Sequence, residues 1–420
     1  MSTHTLEIPR ITGELVNDDS GPLLQGCAVV MSPTGNAVGA WRTDLGSHRA
    51  HWGRRTPRHA DAGRSLHREI EQIGLTGRGG GHFPVAIKWG PALQAGPGGT
   101  IVVNAAEGEP ASAKDSVLWQ CRPHLVLDGA AALAEMLAAR EVVLWLHADA
   151  TATRVSMEQA IAERQQAGEP DPPVRILLAP VGYVSGEASA VIAGVRGQPV
   201  APTFIADPAR PWGDGPPILV HNTETVARIG MVTATGADGY PSSSLITVAH
   251  IDHGRITQRV VVEVASNDSV ADALRLAGTG MDGSTTRGAT TTGAILLGGY
   301  AGTWHRGVDA ASLPLDPAAL RARGLSLGAG IIITVPDVDR VLTETIAITD
   351  YLAGESAGQC GPCQFGLPAL VRALDRQRFA EIDTLAAPVA GRGGCRMPDG
   401  AVRMVTSAVD LLHSAPGGGQ

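Results

Sequence analysis

The feature that most constrains the fold is an alternation of short apolar runs with helical segments between residues 100 and 179. Thr100–Asn104, Glu141–His147 and Val174–Ala179 have the length and apolar content of buried strands. Between them lie two predicted helices, an Ala/Leu-rich Pro123–Arg140 and Ser156–Gln166. Strands that alternate with helices are typical of parallel sheets. The sequence therefore predicts an α/β domain with a mainly parallel sheet.

The pattern changes twice after Gly236. It first becomes β-rich with one short helix, in the segments Ser244–Ile251, Arg259–Val264, Val270–Ala277, Ala294–Leu297 and Gly330–Val335. This predicts a small β-grasp-like domain, and from Val338 the pattern is helical, with cysteines in glycine-rich loops. We therefore expect a loosely structured lead-in (1–60), the α/β domain (61–236), the β-grasp-like domain (237–336), a helical domain (337–414) and a tail (415–420).

Length and composition narrow the class of protein. A chain of 420 residues with 44% hydrophobic and 18% charged residues fits two or three packed domains. No run approaches the ~20 apolar residues of a membrane span, and the N-terminus lacks an export signal, so we expect a cytoplasmic protein. The net charge of −8, without a basic stripe, argues against nucleic-acid binding. Only Lys88 and Lys114 of the 33 basic residues are lysines. We therefore expect that both positions require a compact ammonium group rather than a planar guanidinium.

A glycine-dense loop runs from Gly74 to Gly81 after a predicted helix at Arg64–Ile73. Its glycines allow positive φ angles and let backbone N–H groups approach a phosphate or a flavin edge. A glycine-rich surface turn is the alternative interpretation. Lys88 follows, and the strand that ends at Asn104 continues into a segment with carboxylates. Because ligands of α/β sheets bind where strands end, these segments predict a cofactor crevice.

Four motifs in order resemble those of the FMN- and NADH-binding flavoprotein subunit of respiratory complex I, a family that includes diaphorase subunits of hydrogenases and formate dehydrogenases. The motifs are Gly74–Trp89 (GLTGRGGGHFPVAIKW), Asn104–Asp115 (NAAEGEPASAKD) with Pro123-His-Leu125, Gly182–Glu187 (GYVSGE) with Gly197-Gln-Pro199, and His221–Thr225 (HNTET). The resemblance runs from about residue 65 to about 412. It implies a flavin-binding α/β domain, a β-grasp-like soluble-ligand domain and a helical iron–sulfur domain.

The resemblance also implies which residues bind FMN. The expected set is Gly77, Arg78, Gly79, Gly80, Lys88, Asn104, Glu107, Gly186, Glu187 and Asn222, with Phe83 near the nucleotide. Lys88 would neutralise the FMN phosphate or bond the ring, and Glu187, our candidate catalytic residue, would lie near the face where a nicotinamide stacks. Lys114 is expected in a structural ion pair. As alternatives, Glu107 or Glu187 could be a carboxylate at the start of a helix, and Asn222 an ordinary turn residue.

Three cysteines near the C-terminus suggest an iron–sulfur cluster. Cys360, Cys363 and Cys395 are thiolates of the required kind, and an odd total of five cysteines suits metal ligation better than disulfides. The family pattern is Glu-Ser-Cys-Gly-x-Cys-x-Pro-Cys, whereas here Ala357 replaces the first cysteine. A 4Fe-4S cluster would then need Ser356, a solvent hydroxide or a carboxylate, and a 3Fe-4S cluster would need only the three cysteines.

Two further possibilities remain for the cysteines. The C-terminal three could hold zinc or line a vestigial pocket. Cys27 and Cys121 lack partners at ligand spacing, so we expect both to be simply buried thiols.

The departures from the family fall mainly where a dinucleotide would bind. Gly90-Pro91 replaces Ser-Phe after Lys-Trp, Ala106 replaces an aspartate, Ala188 replaces a second glutamate, and Val200-Ala-Pro202 replaces Arg-x-Lys. Because a stacking ring and several polar contacts are lost, we expect NAD(H) to bind weakly. Phe83 and the FMN glycines are retained.

The sequence thus predicts an oxidoreductase subunit with FMN and an iron–sulfur cluster, an NADH dehydrogenase-like protein of electron transport. We expect it to transfer electrons between NAD(P)H or a ferredoxin-like carrier and a partner redox protein. The alternative is a non-catalytic scaffold subunit whose nucleotide and cluster sites have degenerated.

Overall fold

The structure is a computed structural model that describes residues 23–24, 28–32, 35–38, 41–56, 60–205, 207, 210–278 and 293–414, with the side chains of 60–64 left out. Cys27 and the predicted tail 415–420 lie outside the described residues. None of the described helices is long and apolar enough to cross a membrane.

The described strands are β1 Val29–Met31, β2 Ala37–Val38, β3 Thr100–Asn104, β4 Glu141–His147, β5 Val174–Ala179, β6 Ile218–Asn222, β7 Ser243–Asp252, β8 Arg255–Ala265, β9 Ala294–Leu297, β10 Thr303–Arg306 and β11 Ile331–Val335. The described helices are α1 Leu45–Trp52, α2 Ala60–Gln72, α3 Val85–Ala95, α4 Lys114–Cys121, α5 Pro123–Met136, α6 Thr151–Gln166, α7 Ala188–Val195, α8 Thr223–Thr235, α9 Val270–Leu276, α10 Gly307–Ala310, α11 Pro317–Arg321, α12 Arg340–Gly354, α13 Leu367–Asp375, α14 Ile382–Ala386 and α15 Met397–His413.

Strands β3 to β6 form a four-stranded, wholly parallel sheet in the order β5-β4-β3-β6. The central strands β3 and β4 are almost entirely buried, as their apolar sequences predict. Helices α5 and α8 cross at two glycines. A Cβ at Gly129 would lie 1.9 Å from the Val226 carbonyl oxygen, and one at Gly230 would lie 2.3 Å from that of Leu125. The two backbones are therefore in direct contact. The predicted α/β domain with a parallel sheet is confirmed.

The second sheet has seven strands in the order β10-β9-β11-β7-β8-β1-β2. Adjacent strands in this sheet are antiparallel, except that β11 and β7 run parallel to each other. The hairpin β7–β8 is followed by helix α9, and β11 then inserts between β7 and β9.

The N-terminal segment differs from the loosely structured lead-in that the sequence predicts for residues 1–60. Strands β1 and β2 extend the edge of the second sheet, with Val29 opposite Val261. Glu263 is buried, and its carboxylate accepts the backbone N–H groups of Leu23 and Leu24, each at 2.9 Å. Helix α1 packs against the first domain. Strands β1 and β2 could not be predicted from the local sequence, because they are short and are stabilised by pairing with β8, which lies far away in the chain.

Helices α12 to α15 form the C-terminal region, which confirms the predicted helical end of the chain. Their apolar faces share one core with residues of the second sheet, including Ile331, Ile333 and Trp304. Helix α15 packs along β10 and against the turn Gly299–Ala301 before it, where a Cβ at Gly400 would lie 2.5 Å from the Ala301 Cβ. The boundaries of the separate domains stay predictions.

Candidate functional site

The carboxyl ends of β3 and β6 bring two asparagines side by side. Asn104 and Asn222 are paired residues of these neighbouring strands. The Asn104 side chain donates to the Gly186 carbonyl at 2.8 Å and accepts the Ala106 N–H at 3.1 Å. Two sequence motifs are thereby joined at the edge where a parallel sheet binds its ligands.

The segment Gly182–Glu187 is held over this edge by the strand next to β3. The indole of Trp145 donates to the Ser185 carbonyl at 3.0 Å, and the His147 ring lies 2.8 Å from the Ser185 hydroxyl. A Cβ at Gly186 would lie only 2.6 Å from the Ala106 carbonyl oxygen. Because the two motif backbones touch there, position 186 has no room for a side chain.

The glycine loop closes the crevice from the opposite side. The Gly77 N–H donates to the Phe83 carbonyl at 2.9 Å, and Gly80 has a φ of +100° that favours glycine. A Cβ at Gly79 would lie 3.3 Å from the Asn222 Cβ. The loop therefore lies directly against the end of β6.

Arg78 directs its side chain away from this loop. Its backbone N–H donates to the Thr225 hydroxyl at 2.9 Å, and its buried guanidinium donates to the Ser244 hydroxyl at 2.8 Å. Arg78 thus connects the glycine loop to β7 of the second sheet, with both its guanidinium and its backbone N–H engaged inside the protein. A flavin contact at Arg78 stays a prediction.

Lys88 extends from α3 to the middle of β6, where its ammonium group donates to the Val220 carbonyl. Burial lowers its pKa to about 8. The adjacent His221 accepts the Trp89 indole N–H at 2.8 Å, and burial holds its pKa well below the ordinary value, so it is neutral. Among the described residues no carboxylate forms an ion pair with Lys88. A half-buried cation that lacks an anionic partner in the described part of the chain fits the charge of an FMN phosphate or a reduced flavin ring.

Glu107 lies at the start of a helix, one of the alternatives that the sequence leaves open. It accepts the Ser112 hydroxyl at 2.6 Å and the N–H groups of Asp115 and Ser116 at 3.2 and 2.9 Å, which caps α4. A flavin contact at Glu107 stays a prediction.

Glu187 is likewise a cap, here at the start of α7. One of its carboxylate oxygens accepts the N–H groups of Ser189 and Ala190, at 2.9 and 3.1 Å. Its other oxygen makes no hydrogen bond within the described residues. The proposed approach of this group to a nicotinamide stays a prediction.

Lys114 is expected to form an ion pair, and it does. Its fully buried ammonium lies 2.9 Å from Asp115, 3.2 Å from Glu224 and 3.1 Å from the Asn222 amide oxygen. Asn222 also caps α8 through the Glu224 N–H at 3.0 Å. The network fixes Asn222 behind the glycine loop, so this asparagine is more than a turn residue.

Phe83 lies at the mouth of the crevice, where 54% of its side chain is exposed. Gly90 and Pro91, which replace the family's second aromatic position, lie within α3. A single exposed ring therefore remains in this loop for contact with a nucleotide.

A buried carboxyl, Glu109, is absent from the predicted site. It accepts the Tyr300 N–H at 2.8 Å, and burial raises its pKa to about 8, so it is largely protonated at neutral pH. The rings of Tyr300 and Tyr183 both pack edge-on against Tyr351 beside it, with centroids 5.8 and 6.5 Å apart. Its place in the Glu107-Gly-Glu109 motif was the only sequence signal, and nothing in that motif indicated burial.

The three C-terminal cysteines come together in the helical region. The Cys363 thiol is buried and contacts the Cys360 thiol and the Ser356 hydroxyl, and burial raises its pKa to about 12. Burial also raises the pKa of Cys395, which interacts electrostatically with Glu187 of the crevice and with Cys360. Burial opposes ionisation of Cys360, but the backbone N–H groups of Gly394 and Cys363 outweigh it and lower its pKa.

This donor set fits a cluster with three cysteine ligands and lacks a fourth cysteine. Within the described ranges, no three His, Cys, Asp or Glu side chains lie close enough to hold a single metal ion, so the choice between a cluster and zinc stays a prediction. Cys121 is buried, as predicted.

Comparison with known proteins supports both cofactor regions. Residues 70–231 match the Nuo51 FMN-binding domain, and residues 345–414 match the NADH-ubiquinone oxidoreductase-F iron–sulfur binding region. The chain is 26% identical over 373 residues to the F subunit of NADH-quinone oxidoreductase from Rhodobacter capsulatus, which covers 79% of this chain and 82% of that protein. It is 26% identical over 370 residues to the F subunit of the same enzyme from Escherichia coli (strain K12), covering 82% of each chain.

A hydrogenase subunit and a solved structure extend this likeness. The NADP-reducing hydrogenase subunit HndC of Solidesulfovibrio fructosivorans is 27% identical over 325 residues, or 73% of this chain and 64% of that protein. A crystal structure of NAD+-reducing [NiFe]-hydrogenase in the H2-reduced state aligns with a TM-score of 0.70 at 22% identity, over 85% of this chain and 64% of the hydrogenase chain. This chain thus spans under two thirds of both hydrogenase chains, and the structural likeness shows the fold. The predicted resemblance to the complex I flavoprotein subunit is confirmed, with its FMN-binding domain and its 4Fe-4S binding region.

Proposed function

We propose that this chain, which resembles the complex I flavoprotein subunit in both cofactor regions, is an oxidoreductase subunit that transfers electrons between a soluble carrier and a partner redox protein. FMN accepts two electrons as a hydride and releases them singly, and an iron–sulfur cluster accepts one at a time. The observation that carries the proposal is the half-buried ammonium of Lys88, which has no carboxylate partner among the described residues and donates to a carbonyl of β6, the strand whose end the glycine loop contacts.

Different residues of the crevice would contact different parts of FMN. Backbone N–H groups of Gly79 and Gly80 would contact the flavin, while the Gly77 N–H closes the loop on the Phe83 carbonyl, and Lys88 would supply the positive charge. Asn104 and Asn222, fixed by their hydrogen bonds at the strand ends, would orient the ring together with Gly186. Glu187 would face the substrate side through the oxygen that its cap does not use.

The proximity of the two regions suits electron transfer. Glu187 of the crevice and Cys395 of the helical region are close enough for the carboxylate to raise the pKa of the thiol. A path from flavin to cluster would therefore stay inside one chain.

We also infer that residues 237–336 form a β-grasp-like domain and that the protein works in the cytoplasm. The hairpin β7–β8, helix α9 and the insertion of β11 beside β7 support the domain assignment. For the electron carrier we favour a ferredoxin-like protein over NADH, because the dinucleotide contacts named above are lost. The relatives, as subunits of larger enzymes by name, support a partner redox protein.

The test is anaerobic purification of the full chain, followed by absorption spectroscopy and by FMN, iron and zinc analysis. The proposal expects bound FMN and iron together. A colourless protein without either cofactor after reconstitution would overturn it and favour the scaffold alternative, and zinc in place of iron would remove the cluster half.

A further inference from the structure

The loop that carries Cys360 and Cys363 presents an aromatic ring to solvent. The side chain of Phe365 is 72% exposed. Its ring lies against the backbone between the two cysteines, because a Cβ at Gly361 would be 4.0 Å from the Phe365 Cδ2 atom. An exposed apolar group therefore lies directly beside the expected cluster site.

A second loop continues this surface. Gly366 packs closely against the loop that follows α14, because a Cβ at Gly366 would lie 2.3 Å from the Val389 Cγ2 atom. The same loop continues to Cys395. Residues 357–365 and 387–396 therefore form one surface around the three cysteines, and we call this surface the cysteine face.

The cysteine face carries positive charge in a chain that is negative as a whole. Its charged side chains are Arg392 and Arg396, and it contains no aspartate or glutamate, whereas the net charge of the chain is −8. The Arg396 side chain is 94% exposed and pairs with Asp399, just outside the face, at 3.2 Å. Arg392 is also exposed and forms no ion pair with the residues that the structure describes. Arg392 is thus available to a carboxylate of another protein.

The arrangement matches the anatomy of a protein–protein interface, which has an apolar centre and a charged rim. Phe365 supplies the ring, and the exposed residues near it include the small and apolar Ala387 and Pro388. Cys360 and Cys395 are half-buried under the face. A protein that docked there would come close to the expected cluster ligands, and carboxylates on its surface would complement the arginines.

We propose that the cysteine face is the docking surface for the ferredoxin-like carrier, a small redox protein with carboxylates around its own iron–sulfur centre. The inference rests on the proposed function, because it names the surface that the carrier of that proposal would use. Phe365 packs in the apolar centre of the interface, and Arg392 and Arg396 pair with the carboxylates at its rim. Rim charges steer the encounter, so binding weakens as the ionic strength rises.

The test measures how an oxidised, acidic 2Fe-2S ferredoxin of the plant type binds to the full chain with its cofactors. Calorimetry at low and at high ionic strength gives the dissociation constant. At low ionic strength, Phe365→Ala should raise this constant about tenfold, because the apolar centre is lost. Arg392→Glu should raise it about fivefold, and most of this difference should disappear at high ionic strength.

The control is Arg323→Glu, which makes the same change in net charge as Arg392→Glu. Arg323 is exposed, and its guanidinium donates to the Ala319 carbonyl at 3.0 Å. The nearby Leu320 packs with Ile332 in the core on one face of the second sheet, whereas the C-terminal helices share the core on the other face. Arg323→Glu should therefore bind the ferredoxin as wild type does.

Equal dissociation constants for wild type, Phe365→Ala and Arg392→Glu would overturn the inference, as would wild type that does not bind the ferredoxin at low ionic strength. Light scattering tests a second occupant, since a dimer of the chain alone that Phe365→Ala dissociates would assign the face to a second copy. FMN and iron are measured on the same samples. Wild type without either cofactor would overturn the proposed function, whereas unchanged binding by variants with full cofactor content would overturn the docking surface alone.

Discussion

The carboxylate of Glu355 accepts a hydrogen bond from the backbone N–H of Tyr183 at 2.8 Å. Glu355 follows α12 in the helical region, and Tyr183 opens the turn that lies over the end of the parallel sheet. The same carboxylate would meet a Cβ at Gly182 at 3.2 Å. The Glu355 side chain therefore joins the loop after α12 to the turn Gly182–Glu187, and it fixes the position of the helical region relative to the crevice.

Removing this contact should destabilise the junction. We expect Glu355→Ala to lower the free energy of unfolding by about 1 kcal/mol, because the half-buried N–H of Tyr183 loses its acceptor. Glu355→Gln retains an acceptor oxygen and should cost less. Urea unfolding followed by tryptophan fluorescence measures both, and equal midpoints for wild type and both variants would contradict the structural role.

Lys88 should control FMN binding in a pH-dependent way. Burial lowers its pKa from 10.5 to about 8 in the ligand-free protein, so the ammonium loses its proton as the pH rises through that value. An anionic flavin group binds the charged form, and the dissociation constant of FMN should rise about tenfold from neutral pH to about pH 9. Flavin fluorescence titration measures it.

A rise in pH should weaken FMN binding but increase the stability of the ligand-free protein. Between pH 8 and 10.5 the unfolded state binds more protons at this position, so ligand-free wild type should gain stability as the pH rises. Lys88→Met should lack both pH effects and bind FMN weakly. A Lys88→Met protein with full FMN occupancy would remove Lys88 from the flavin site.

Gly79 should tolerate no branched side chain. Its Cβ would lie 3.3 Å from the Asn222 Cβ, so Gly79→Val must push the loop away from the end of β6. We expect FMN occupancy to fall severalfold while iron content stays constant. The control is Gly81→Ala, where a Cβ has nothing within 4 Å and no positive φ is required. Equal FMN content in both variants would show that the loop does not hold the flavin.

Cys363→Ser should abolish iron retention and leave FMN bound. Its thiol is the buried member of the cysteine group, and it lies in a different part of the fold from the glycine loop. Metal analysis and flavin fluorescence on the same sample measure the two contents. Cys121→Ala, in α4, is the control and should keep its iron. Parallel loss of iron and FMN in Cys363→Ser would indicate one interdependent site.

NADH should bind more weakly here than in ordinary relatives. Losing one stacking contact and two or three polar contacts, at ~1 kcal/mol each, weakens binding by roughly two or more orders of magnitude. Steady-state NADH oxidation with an artificial acceptor measures this. A micromolar Michaelis constant with rapid turnover would restore NADH as the natural donor.

Three of the four strands of the parallel sheet could be predicted because each is short and mostly apolar, and Thr100–Asn104, Glu141–His147 and Val174–Ala179 match the observed bounds. The fourth strand, β6, is not among the predicted strands. The roles of Glu107 and Glu187 could not be separated, because a carboxylate that caps a helix and one that faces a ligand occupy the same position before a helix. The contact between Ser356 and Cys363 depends on how the loop turns, which the motif alone does not reveal.

Strand β1 pairs with β8 through Val29 and Val261, at opposite ends of a long stretch of chain. During synthesis at roughly 10 residues per second, the first strand leaves the ribosome on the order of 20 s before its partner. The edge of the second sheet is therefore a late contact in folding, and the newly made N-terminal segment must stay soluble until β8 emerges. Removal of the first 40 residues should consequently leave the β8 edge open to pairing with a second chain.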